Sequence, residues 1–580
     1  MSKYKIVLEQ YYVCSSAPVN KGSRRYMNIL SFVWHTFLSV AQKDFDKVRL
    51  ILDKRLTYPI LSYDEVGYVV KLPLPRRLKS EFYTLFGECY DANESGWSAL
   101  WRNFKASIYH AALHVAYSDF SIYKDWARGK DIKTATFCVS LIEDLHTTLR
   151  AAEVHPAILP DIAYSSYHSA LRLNNYALLS DDALRFATLL LLGSWGLERV
   201  AGSLARAEKE AVRVAQKIRM VVLEAVKSRD NARLIEGAQL AYSAITRRGF
   251  LKQIPSFPYT DSHGETSVFA NKMLGESEDL LQSIYRSLGL KVDDLTLDDS
   301  RESFHIFKAA ESLESKVRER YDKIVSATRF DGLQIPIGDY SMFLRIRAEV
   351  AGAIASIKNQ LKLINTAEDE VYGDESGHLD LQTAVQVVAS RSTRNDVFIR
   401  DEKVHKREAW AILLDASRSV KPLAIDVKKI AVCLAEVAKD LLPAYDLWGL
   451  FAFNNSFIIL KDFNEQYSME VKARIGGLQQ GDATLLPDAV YTCGRALSLL
   501  SIEPKILMVV SDGYPVGYRN IERELVYRIH KVLKSGILLL GIGITNPAIR
   551  GYFTVNCPLR EPYQIMRSFI KSYYELSNLF

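Results

Sequence analysis

A chain of 580 residues is several times the length of an average domain, which predicts two to four domains and excludes a single small binding module. Apolar residues at 48% and charged residues at 24% exclude wholesale disorder, a collagen-like chain and a coiled-coil rod. Lys and Arg number 74 against 68 Asp and Glu, and a net charge of +6 over this length is no polybasic signature, so nucleic acid is an unlooked-for partner.

The first residues, MSKYKIVLEQYYV, show no uninterrupted apolar core followed by a small-residue cleavage site, so no secretory signal is expected. The cysteines Cys14, Cys89, Cys138, Cys433, Cys493 and Cys557 include no CxxC pair, which predicts a reducing, cytoplasmic setting and no zinc ribbon. From there to about residue 365 the pattern is mainly helical. Helical stretches are predicted over roughly 27–53, 97–147, 231–248, 276–288, 302–327 and 340–364. Another surrounds Val214, Ile218, Val221, Val222 and Ala225, which recur on one face of a long amphipathic helix. Ser180-Asp181-Asp182 is a predicted helix start. The apolar run Phe186 to Leu197 is shorter than the roughly 20 residues that span a bilayer and reads as a buried helix. Pro255 to Ser267 reads as a polar surface loop.

Residues 366–400 are expected to be a linker, acidic over Ala367 to His378, with a short helix near Leu379 to Ala389. Beyond it, apolar runs alternate with amphipathic helices: Ala411 to Asp415, Leu447 to Phe453, Ile506 to Asp512 and Ile537 to Ile544, separated by helices over Pro422 to Leu441, Pro487 to Leu500 and Asn520 to Lys534. That grammar predicts a doubly wound α/β domain over 401–580, with Phe457 to Phe463 as an edge hairpin strand. The chain is therefore read as a helical region over 1–365, in one or two subdomains, followed by a Rossmann-like α/β domain. In such sheets ligands bind at the carboxyl ends of the strands.

Three polar groups fall at those ends. Asp415-Ala416-Ser417-Arg418-Ser419 follows the first strand, Ser511-Asp512-Gly513 follows the strand from Ile506, and the loop GGLQQGDATLLPDA brings Thr484 to the start of a helix near Pro487. Hydroxyls and carboxylates without nitrogen or sulfur make an all-oxygen set suited to Mg²⁺. Asp482 and Asp488 are expected to be solvated or to cap a helix.

The segments ILLDASRSV, GDATLLPDAV and ILMVVSDGYP resemble, in order and spacing, the three parts of the metal-ion-dependent adhesion site of von Willebrand factor A domains. The resemblance implies that Asp415, Ser417, Ser419 and Thr484 are ligands of Mg²⁺, or of Mn²⁺ or Ca²⁺, and that Asp512 is a ligand through water. Arg418 stands where many adhesive members have Gly, at a position that contributes no ligand side chain. Upstream, Gly377-His378-Leu379-Asp380, a helix containing Ala, and Asp396-Val397-Phe398 are similar to the segment before the A domain in accessory proteins of nitric oxide reductase and Rubisco activation. Cobalt-chelatase-type subunits show a related layout. The resemblance is specific over about 370–545 and architectural before that. It implies an adaptor that links a hexameric MoxR-type AAA+ ATPase to a client enzyme for remodelling, activation or metal insertion. The client would offer an Asp or Glu to the metal.

An ATPase on a separate subunit requires no phosphate-binding loop here, and no GxxxxGK[ST] occurs. A GxSxG elbow is also absent, so no enzyme activity is expected. His110 and His114 of HAALH share one helix face, but the Glu of HExxH is absent, and an ordinary packed or exposed pair is expected rather than zinc. The aromatics Tyr563, Phe569, Tyr573, Tyr574 and Phe580 are expected to cover the sheet with a final helix. Two rivals remain at this stage: a Ro-like RNA-binding protein, which also joins helical repeats to an A domain, and a structural protein that assembles through its metal. Residues 401–580 hold 22 Lys/Arg and 19 Asp/Glu, so the charge excess divides evenly between the halves and marks neither as basic.

Overall fold

The computed structural model of the chain describes residues 28–44, 47–63, 67–79, 81–171, 179–196, 206–260, 278–289, 300–374, 376, 378–405, 408–442, 444–481, 483–512, 521–544, 555–559 and 570–575. Met1 to Cys14, residues 261–267 of the polar loop, Gly377, Asp482, Gly513, Tyr563, Phe569 and Phe580 lie outside them.

The first described element is helix α1 (Ile29–Ala41), whose first turn is closed by the Asn28 side chain accepting from the Ser31 amide at 2.8 Å. The helix expected over 27–53 stops there. Val48 and Leu50 are buried and their neighbours less so, a period of two that makes a strand. Six short strands follow: β1 (Val48–Asp53), β2 (Ile60–Tyr63), β3 (Tyr68–Pro73), β4 (Arg76–Lys79), β5 (Phe82–Leu85) and β6 (Glu88–Asp91). They form two three-stranded sheets, β1-β3-β2 and β4-β5-β6, which the helical reading of this region did not anticipate.

Helices α2 (Glu94–Tyr117), α3 (Ile132–Val154), α4 (Leu159–Leu171), α5 (Asp182–Ser194), α6 (Arg206–Ser228), α7 (Ala232–Thr246) and α8 (Glu278–Ser287) come next. The single stretch expected over 97–147 is two helices, because Asp131 caps a new start by accepting from the Thr134 amide at 2.9 Å. Asp181 does the same for α5, with the Leu184 amide at 3.1 Å. On α6, Ile218, Val222 and Ala225 are buried as the periodicity required. His110 and His114 are both buried, not exposed.

Helix α9 (Ser300–Val325) carries the chain from this region onto the C-terminal sheet. Its Tyr321 stacks on Phe457 and donates its hydroxyl to Asp462 Oδ1 at 2.8 Å, and Arg320 pairs with the same carboxylate. Strand β7 (Leu333–Gln334) and helices α10 (Tyr340–Glu349) and α11 (Ala351–Asn365) follow. The acidic stretch expected as a linker contains β8 (Thr366–Asp374), which pairs antiparallel with β10 (Phe398–His405) beside the short β9 (His378–Leu379). Between β9 and β10 lies α12 (Leu381–Ala389), capped by Asp380 and without a buried residue.

The C-terminal sheet comprises β11 (Ala409–Asp415), β12 (Trp448–Phe453), β13 (Phe457–Lys461), β14 (Lys505–Ser511), β15 (Ile537–Ile544) and β16 (Val555–Leu559), joined at one edge by β7. Its order is β16-β15-β14-β11-β12-β13-β7, parallel except where β13 runs antiparallel to β12 and, with it, β7. Helices α13 (Ala424–Leu441), α14 (Met469–Gly476), α15 (Leu486–Ser498) and α16 (Ile521–Leu533) connect the strands. Strands β11, β12, β13 and β14 are buried along their whole length, which explains their unbroken apolar sequence. Residues 570–575 are helical, and Tyr573 packs edge-on to Trp410 while its hydroxyl hydrogen-bonds Glu408. Among the described residues no helix is long and apolar enough to cross a membrane.

The edge of this sheet meets the N-terminal region closely. A Cβ on Gly476 would lie 2.0 Å from the Asp339 carbonyl oxygen, and one on Gly477 would lie 1.7 Å from that of Ile337. Only glycine lets α14 end against this segment. Asp339 also pairs with Arg49 of β1 at 2.9 Å.

Candidate metal centre

The chain leaves β11 and winds to one side through β12, then returns to the other side through β14. The carboxyl ends of β11 and β14 thus flank the point where the winding reverses, the place where ligands bind in sheets of this kind. Asp415 ends β11 and Asp512 follows β14, with Leu414 and Val510 paired between the strands.

Asp415 is held from two directions. Its Oδ1 accepts from the Ser417 amide at 2.9 Å, and its Oδ2 accepts from the Ser511 hydroxyl at 2.6 Å. The Ser417 and Ser419 hydroxyl oxygens stand 2.9 Å apart, so one carboxylate and two hydroxyls of a five-residue turn converge. Asp415 and Ser417 are fully buried, whereas Ser419 and Arg418 are exposed, so the cluster opens outward at its Ser419 side. Burial pushes the Asp415 carboxyl up to about 6, and the charge of Asp512 pushes the same way, against the hydrogen bonds from Ser417 and Ser511. A carboxylate held where its charge is costly suits a cation as neighbour.

The third loop reaches the same turn through its backbone. The Gly481 amide donates to the Ala416 carbonyl at 2.7 Å, and the Ala416 amide donates to the Phe453 carbonyl at 2.9 Å. A Cβ at Gly481 would sit 2.4 Å from the Asn454 side-chain nitrogen, so the close approach needs glycine. Thr484 follows three residues later, buried, just before α15 starts with Pro487 in its first turn. The structure thus gathers Asp415, Ser417 and Ser419 and sets Asp512 beside them, with Thr484 on the loop tied to the Ala416 carbonyl.

Of the two roles expected of Asp488 the solvated one does not hold, and the residue stands in the first turn of α15. It is 1% exposed and pairs with Arg528 at 3.4 Å, joining α15 to α16. Sequence reasoning also passed over Ser511, whose hydroxyl orients Asp415; its signal was only its place one residue before Asp512. The donor set fits a hard divalent cation, since every converging side chain offers oxygen.

No family model matches the chain, and no curated protein matches it. Among solved structures it is similar to the Ro (RSR) protein of Deinococcus radiodurans, with 12% sequence identity over 79% of this chain and 94% of that one and a TM-score of 0.19. A likeness of that size carries no argument about fold or function.

Proposed function

We propose that Asp415, Ser417, Ser419 and Thr484, with Asp512 through water, bind Mg²⁺ or a similar divalent ion such as Mn²⁺ or Ca²⁺. On this reading the chain is an adaptor that grips a carboxylate of a partner protein. The observation that carries the reading is the meeting of Asp415, Ser417 and Ser419 beside Asp512 where the sheet reverses its winding. The metal supplies one coordination position that an Asp or Glu of the partner fills, a contact of few atoms with strict geometry. Asp415 is pre-oriented for this by the Ser417 amide and the Ser511 hydroxyl, so little ordering is left for the moment of binding.

The partner system follows from the resemblance of residues 370–545: a MoxR-type AAA+ ATPase hexamer in the cytoplasm, with a client enzyme to be remodelled, activated or loaded with metal. The helical region would dock on the ATPase ring and the metal site would hold the client. The chain would do no chemistry of its own.

The test uses full-length protein, wild type and Asp415→Ala, with a purified MoxR-type ATPase and its client. Client capture in Mg²⁺ that is lost on chelation and lost in Asp415→Ala is the expected result, with ATPase binding kept in both. Capture unchanged by chelator and by the substitution overturns the metal grip. Retention of RNA instead of protein, weakening as salt rises, would replace the adaptor reading with an RNA-binding one.

A further inference from the structure

Far from the sheet, three buried side chains of the helical region converge on one point. His110 and His114 lie one turn apart on α2, and Asp144 faces them from α3. His114 Nε2 is 3.0 Å from His110 Nε2 and 3.1 Å from Asp144 Oδ1, and His110 Nε2 is 3.5 Å from the same oxygen. A tetrahedral zinc ion with nitrogen and oxygen ligands at about 2.0–2.1 Å separates those ligands by about 3.3 Å. The triangle already has that size. His110 and His114 are each 1% exposed and Asp144 is 6% exposed, so the ligand set is ordered by packing.

The hydrogen bond behind His114 decides which atom faces the cluster. The Ser118 hydroxyl lies 2.8 Å from His114 Nδ1, so that nitrogen is engaged away from the cluster. His114 Nε2 is left to face His110 Nε2 and the carboxylate oxygen of Asp144. A hydroxyl at the far ring nitrogen is the kind of support that orients a metal-bound histidine. Aromatic walls close the site: the edge of Tyr259 lies against His110, and Phe120 lies beside His114.

We propose that His110, His114 and Asp144 bind one divalent transition-metal ion of the zinc type, pinning α2 to α3. The mixed nitrogen and oxygen set distinguishes it from the all-oxygen cluster at Asp415, and the two readings stand or fall separately. The alternative occupant is a proton, shared among the two imidazoles and Asp144.

Metal-stripped full-length protein, carrying Asp415→Ala to silence the other site, is titrated with Co²⁺ and Zn²⁺ while visible absorption and bound metal are measured. One Co²⁺ per chain with d–d bands of low-symmetry, four- or five-coordinate character, displaced by Zn²⁺, is expected. Ser118→Ala leaves all three ligands in place and should weaken binding by about 10- to 100-fold. His114→Gln should abolish it, with circular dichroism as the check on folding. If His114→Gln fails to fold, the stoichiometry of the parent and the Ser118→Ala shift still decide. No stoichiometric Co²⁺ or Zn²⁺ in the parent, or equal binding in Ser118→Ala and a folded His114→Gln, overturns the site in favour of the shared proton.

Discussion

In the sheet, the polar groups stand where the strands stop, and in the helical region they stand inside. Asp415, Ser417 and Ser511 are fully buried, yet they belong to a cluster that reaches solvent at Ser419. Asp161 on α4, by contrast, is enclosed between Lys105 at 3.1 Å and Arg102 at 3.2 Å, both from α2, and Asp144 is enclosed with two histidines. The difference follows from the backbone. A parallel strand ends in a loop, and neighbouring loops leave a crevice that a ligand can enter. A helix satisfies its own backbone along its length, so polar side chains between helices must complete one another. The same elements of chemistry therefore give an outward-facing site in one half and an inward-facing cross-link in the other.

The substitution that cuts most sharply between the halves is Asp415→Ala. Removing the carboxylate should weaken Mg²⁺ binding by about 100-fold or more, near 2.7 kcal/mol, while Co²⁺ binding in the helical region stays within about twofold. Calorimetric titration of the two ions on the same preparations checks this. Parallel loss of both ions would show that the halves are not independent.

The seam between the halves should yield the next largest effect. Gly477→Ala places a Cβ 1.7 Å from the Ile337 carbonyl oxygen, so backbone must move and stability should fall by about 2 kcal/mol. Gly352→Ala on α11 meets nothing within 4 Å and should be neutral or stabilising by up to about 1 kcal/mol. Urea unfolding of the two variants measures the contrast. A Gly477→Ala midpoint equal to that of the wild type would mean that the two halves do not share one packed seam.

How much of this was legible in the sequence depended on the range of the contacts. Strands β11, β12, β14 and β15 were readable because a strand buried on both faces is apolar without interruption, and the polar residues ending the β11 and β14 runs marked the carboxyl ends that carry the site. The turn from Asp415 to Ser419 is local, so its spacing could be read directly. Strand β7 is two residues long, and nothing in Leu333-Gln334 announces that it joins a sheet more than 70 residues downstream. The strands between Val48 and Asp91 are four to six residues each, too short for periodicity to separate them from helix. His110 and His114 were visible as a pair, but Asp144 lies 30 residues from His114 on another helix, and only packing brings it there.

Lys461 extends the comparison to a buried cation in the sheet. It is completely enclosed, its ammonium donating to the carbonyls of Tyr445 at 2.8 Å and Trp448 at 2.7 Å and lying over the Trp448 ring. Burial nevertheless pushes it down to about 7, against the pull of Glu465, Asp462 and Asp446. Between about pH 7 and the usual lysine value the unfolded chain holds a proton that the folded chain does not, so stability should rise with pH there. The slope is at most about 1.4 kcal/mol per pH unit. In Lys461→Met that rise should flatten, read from urea unfolding at stepwise pH from 7 to 9. An unchanged slope would place the missing proton elsewhere.

The smallest expected effect tests whether the sheet site is supported from behind as the helical cluster is by Ser118. Ser511→Ala removes a 2.6 Å hydrogen bond to Asp415 Oδ2 and leaves the ligand oxygens in place. Orientation of Asp415 would then rest on the Ser417 amide alone among these two contacts, and Mg²⁺ affinity should fall by about tenfold, near 1.4 kcal/mol. The loss of a hydroxyl bond that opposes the upward shift of the Asp415 carboxyl acts in the same direction, because a carboxyl more readily protonated competes less well for the ion. The deficit should therefore shrink as pH rises above about 6, a trend that a cavity left by the missing hydroxyl would not produce. Titration of Mg²⁺ into wild type and Ser511→Ala across that range separates orientation of the ligand from simple loss of packing.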